Sequence, residues 1–186
     1  MFPVWNNPVD LRGFMLFEID ESDRKRAKNP HDIFMLNLAG IHLLAAPASF
    51  VFMGKPGLLI PLSVSLLIIV FFWIRASRAE GRDPWFVAAH WRLAASRTKI
   101  LLVGYVITGT IIGLTTMATS GDSKGAIMAD AFFRVAIVPA LLTVMVCFVL
   151  ESSGIFMAAK AELPNGMVKR FPPPDDVVVK ADPTGL

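Results

Sequence analysis

The chain has 186 residues, of which 54% are hydrophobic, and a net charge of +3. That apolar share exceeds the roughly 45–50% of ordinary soluble domains, and the apolar residues are clumped into four long runs almost free of charge, which points to lipid as the solvent. A single cysteine, Cys147, excludes an internal disulfide or a cysteine-only metal site and reads as a small packing residue.

In chain order, residues 1–32 form an N-terminal segment without a secretory signal, because Asp10, Glu18, Asp20, Glu21 and Asp23 interrupt it. Phe2, Val4, Trp5, Leu11, Phe14, Met15, Leu16 and Phe17 make its first half too apolar for disorder, so it is expected against the membrane surface or another subunit. The following ESDRKRAK stretch reads as a solvated linker. Asn29, Pro30 and Asp32 form a helix-start signal for span one, about 33–53. After the Gly54–Gly57 turn, span two covers 58–74, near the short limit for a ~30 Å hydrocarbon core.

Asp83-Pro84 repeats the start signal, and no Gly or Pro follows until the third span at 100–119. One helix from Pro84 to Thr119 would be roughly 54 Å long at 1.5 Å per residue. Its first turns are expected to project into the cytoplasm or lie along the interface. Arg78, Arg82, Trp85, His90, Trp91, Arg92 and Arg97 would then form a basic and aromatic surface, meeting anionic lipid or a partner. Span four covers 131–150 and is bent by Pro139, and residues 161–186 form a Pro-rich tail that hangs free or lies along a partner. The fold class is an all-α membrane protein whose transmembrane domain occupies 33–160.

Orientation follows from charge. Fifteen Lys and Arg fall in the N-terminal segment, the 75–99 loop and the tail, against Lys55, Lys124 and Arg134 on the other side. The positive-inside rule therefore places both termini in the cytoplasm, here of a bacterial inner membrane.

Candidate chemistry is sparse. His42 is the one ionisable residue well inside span one and marks a buried polar site. A bis-histidine haem would need a second histidine at its depth, and neither His31 nor His90 provides it. Those two are expected to approach each other at the cytoplasmic surface, where two histidines alone make a poor metal site. Arg134 and Glu151 read as markers of the two ends of span four. Gly109 and Gly113 form a GxxxG pattern with Gly104 nearby, a helix-packing face. No nucleotide loop, nucleophile triad or paired-carboxylate site is visible, so neither an enzyme nor a bound cofactor or metal is expected, and no nucleic-acid partner. The expected function is that of a non-catalytic membrane subunit in a secretion, conjugation or respiratory assembly. The alternatives are a small oligomeric channel or carrier, lined by His42, Ser63, Ser65, Thr108 and Thr115, and a membrane anchor of an electron-transfer enzyme.

Overall fold

The computed structural model describes residues 13–119 and 123–180. It is mostly helical, with four helices long and apolar enough to cross a membrane. The first is a continuous rod of three parts: α1 (Glu21–Leu36), a π-helical segment (Asn37–Ala45) and α2 (Ala46–Met53). A short turn at Lys55–Leu58 leads into α3 (Leu59–Ala79), then come α4 (Trp85–Thr119) and α5 (Ser123–Lys160).

The helices overrun the expected spans at the charge-rich end. The ESDRKRAK stretch is the first two turns of α1 rather than a linker, and Pro30 lies inside that helix rather than at its start. The cause is packing: Ala27, Pro30, His31 and Phe34 form one buried stripe at i, i+3, i+4 and i+7, which a linker could not present. α5 likewise continues ten residues beyond Leu150.

The first turns of α4 are enclosed by the other helices. Between Phe86 and Thr98 only Arg92 and Ser96 escape full burial, because α4 packs against α1, α3 and α5. Ala88, Ala89, Ala94 and Ala95 allow these helices to approach closely from several sides. Phe72 touches both Phe34 and Trp91, with ring centroids 5.6 Å apart in each pair. This end is a packed head; towards the other end the helices expose a belt of apolar side chains such as Leu67, Val106, Leu114, Met145 and Val149.

Both chain ends fold onto the head. β1 (Phe14–Leu16) pairs antiparallel with β2 (Glu162–Pro164), and α6 (Asn165–Arg170) follows. Ala161, at a positive φ of 60°, turns the chain out of α5 into β2. Phe17 packs edge-on against Trp85, and Phe171 stacks on the same indole. Residues 161–180 thus lie on their own chain instead of hanging free. The expected roles of Phe2, Val4, Trp5 and Leu11 concern residues outside those described.

Candidate functional site

Two buried polar networks stand out, one in the head and one within the apolar part of the bundle. The head network joins α1, α4 and α5. His31 Nδ1 lies 2.6 Å from Glu151 Oε2, and His31 Nε2 lies 2.9 Å from His90 Nδ1. Arg97 Nη1 donates to the Leu150 carbonyl at 2.6 Å and to Glu151 Oε1 at 3.3 Å. His31, His90 and Glu151 have no solvent-exposed surface. Gly154 makes the site possible, since a Cβ there would collide with the His31 ring and the Arg97 guanidinium. Phe86 closes the far side of His90, ring edge to ring face at 4.6 Å.

One atom of this network is left over. His90 Nε2 is buried without a hydrogen-bond partner among the described residues, and such orphaned atoms are rare enough to require a reason.

These four residues lie just outside the expected spans, and burial dominates the ionisation of His31, His90 and Glu151. It lowers the His31 imidazole to about 3, helped by the Arg97 charge and opposed weakly by Asp32. His90 is held well below the ordinary histidine value by burial, by His31 and by Arg97, against the Glu162 backbone carbonyl. Glu151 is pushed up to about 8 by burial, with Arg97 pulling the other way. Each shift favours the neutral form in a site shielded from water.

The second network is built on the π-helical segment. Asn37 and His42 are five residues apart, which on an α-helix separates them by about 140°. The i→i+5 register of a π-helix stacks them instead. His42 Nδ1 donates to the Asn37 carbonyl at 3.0 Å, since a carbonyl can only accept. In the neutral ring this leaves Nε2 as the acceptor for the Tyr105 hydroxyl. Tyr105 oxygen in turn accepts from Ser65 Oγ at 2.8 Å, and Ser65 accepts from Asn37 Nδ2 at 3.1 Å. The bonds run in one direction and close on the residue where they began.

The structure places the remaining expected site residues as follows. Arg78 and Arg82 are exposed, and Arg92, half-buried, pairs with Glu80 and lies over the Phe171 ring. Trp85 is half-buried and donates to the Phe171 carbonyl at 3.2 Å. His90, Trp91 and Arg97 are interior residues, which corrects their expected place on a surface. The cause is that α4 is covered on several sides there, so that Trp91 packs on Phe72 and carries the Arg75 guanidinium on its ring. His31 and His90 do meet, but in the interior. Glu151 closes their network rather than marking a helix end.

A Cβ on Gly104 would lie 2.5 Å from Thr143 Oγ1, whereas Gly109 and Gly113 have nothing within 4 Å. Ser63 and Thr115 bond their own helices' carbonyls, so only His42 and Ser65 of the suggested channel lining meet in one network. Thr108 Oγ1 is buried without a partner among the described residues. No group of three His, Cys, Asp or Glu side chains is arranged to hold a metal ion among the described residues.

Glu151 was missed as a site residue, and Arg97 was expected on a surface rather than in this network, because partners on different helices leave no spacing to read. A signal was present in WFVAAHWRLAAS, where small residues occur all round the helix and indicate burial on every side. No known protein family, curated protein or solved structure matches this chain.

Proposed function

We propose that the chain is a non-catalytic integral membrane subunit of a larger inner-membrane assembly, of the secretion, conjugation or respiratory kind, with both termini cytoplasmic. The distribution of Lys and Arg supports the orientation. The observation that carries the subunit reading is a contrast along α4. Gly104 is filled by Thr143 of the same chain, while Gly109 and Gly113, about one and a half and two and a half turns further on, face open space. A helical glycine costs about 1 kcal/mol relative to alanine. Two such glycines bring this chain no contact, and close approach of a helix from another protein accounts for them. Exposed Arg78 and Arg82 offer a basic edge to a cytoplasmic partner or to anionic headgroups.

The test is gentle detergent extraction followed by native mass measurement, on the wild type and on a Gly109→Leu/Gly113→Leu variant. The wild type should carry a co-purifying membrane protein that the variant loses. A wild-type monomer without any bound protein would overturn the reading.

A further inference from the structure

The head network has the geometry of a relay, and it stands independently of any assembly. Its members form a line: Glu151 Oε2, then the two nitrogens of His31, then the two of His90. Both links are of hydrogen-bond length, and every partner is sealed from solvent. The line ends at His90 Nε2, which bonds nothing among the described residues. Two rings whose facing nitrogens are committed to each other make a poor metal site. They make a good path for a proton, since an imidazole takes one at one nitrogen as it releases another.

We propose that Glu151, His31 and His90 form a buried proton-binding relay that takes up one proton at His90 Nε2 and holds it on the Glu151 carboxyl. In the empty state His90 Nδ1–H donates to His31 Nε2, and His31 Nδ1–H donates to the Glu151 carboxylate. His90 Nε2 is sealed in the resting head, so uptake requires a local opening that admits one water, whose proton binds the Nε2 lone pair. The Nδ1 proton of His90 passes to His31 Nε2, and that of His31 passes to Glu151 Oε2. Each ring gains one N–H bond and loses another, so both end neutral as the opposite tautomers. The net change is one O–H bond and one positive charge on the cluster.

The surrounding groups fit both states. Arg97 on α4 balances the carboxylate when the relay is empty and keeps the Leu150 carbonyl as a partner when it is loaded. The Glu162 backbone carbonyl of β2 acts on the His90 ring and suits an Nε2–H. Asp32 on α1 and Cys147 on α5 are the other titratable groups acting on the cluster. Glu151 raised to about 8, beside two depressed histidines, makes the carboxyl the proton's resting place.

The test uses the full chain in lipid nanodiscs. Nitrogen-15 NMR of the imidazoles across a pH titration should show His31 and His90 exchanging tautomer together, from Nδ1–H to Nε2–H, with neither becoming imidazolium. Infrared difference spectra over the same range should show a protonated-carboxyl band that Glu151→Gln loses. In His90→Phe the band should remain but respond more slowly to a pH jump. An imidazolium signal from either ring, fixed tautomers, or an unslowed response in His90→Phe would overturn the proposal. The wild-type NMR readout decides it even if no variant folds.

Discussion

The two polar networks use similar residues in opposite ways. Along α4, Arg97 and Tyr105 are eight residues apart, about 12 Å at 1.5 Å per residue. Between them, Phe34, Leu101 and Cys147 supply fully buried side chains. The deeper network is a ring in which each hydrogen bond finds its acceptor, and only Asn37 Oδ1 is left without a partner. The head network is a line with a free end. A closed ring has no site at which to accept a proton and fixes the helices it joins. Each network carries one buried unpaired atom, but that of the open line ends a chain of titratable groups, and this is a reason to look for chemistry there.

If this distinction holds, the head is the more fragile region, and Glu151→Ala tests it with the largest expected effect. The substitution opens a cavity and leaves the buried Arg97 and His31 groups without the Glu151 oxygens they bond, and each unpaired buried polar group costs about 1–3 kcal/mol. Glu151→Gln keeps the volume and one acceptor oxygen and should cost less. Unfolding in mild detergent, followed by near-UV circular dichroism of the head tryptophans, measures both. Equal, small losses for the two variants would show that the carboxylate does not hold the head together.

Much of this architecture is legible in the sequence, because the four apolar runs are lengthy and uninterrupted. The helical extension before span three is legible too, since Asp83-Pro84 marks its start and nothing breaks it afterwards. What is not legible is tertiary. Glu151 reads as a charge at a helix end, and Arg97 as part of a basic surface, because their partners are on other elements. The β1–β2 pair is three residues long on each side, too short for alternation to register. The π-helical segment has no signature in NLAGIHLLA, and without it Asn37 and His42 fall on different faces.

The pH dependence of stability separates the networks next. His31 and His90 have folded values below 6.5, so below that pH the unfolded chain binds more protons and stability falls as pH drops. Glu151 has a folded value near 8 against 4.5 unfolded, so the folded chain binds more protons between these limits. Its contribution is full at low pH and is lost as pH rises through 8. The two histidines outweigh it below 6.5, and above 6.5 it acts alone. Stability of the head should therefore peak near pH 6.5, with slopes of up to about 1.4 kcal/mol per pH unit per proton. Glu151→Gln should flatten the alkaline side and steepen the acid side between 4.5 and 6.5, where Glu151 no longer opposes the histidines. A melting-temperature profile rising steadily to pH 9 would contradict the buried neutral cluster.

The smallest effect belongs to the ring. Tyr105→Phe removes one hydroxyl and breaks the ring at two bonds, leaving His42 Nε2 without its donor and Ser65 without its acceptor. Even in water-free surroundings the cost is small, because interhelical hydrogen bonds in membranes are worth about 0.6 kcal/mol on average and up to about 1.7. The freed Ser65 hydroxyl can turn to a carbonyl of its own helix, as Ser63 already does to Leu59. A loss of this order, with the Glu151 infrared band unchanged, is what a structural ring separated from the head by Phe34, Leu101 and Cys147 requires. If Tyr105→Phe instead altered that band, the apolar layer would not insulate the two networks. The ring would then belong to one proton path running from the head into the bundle.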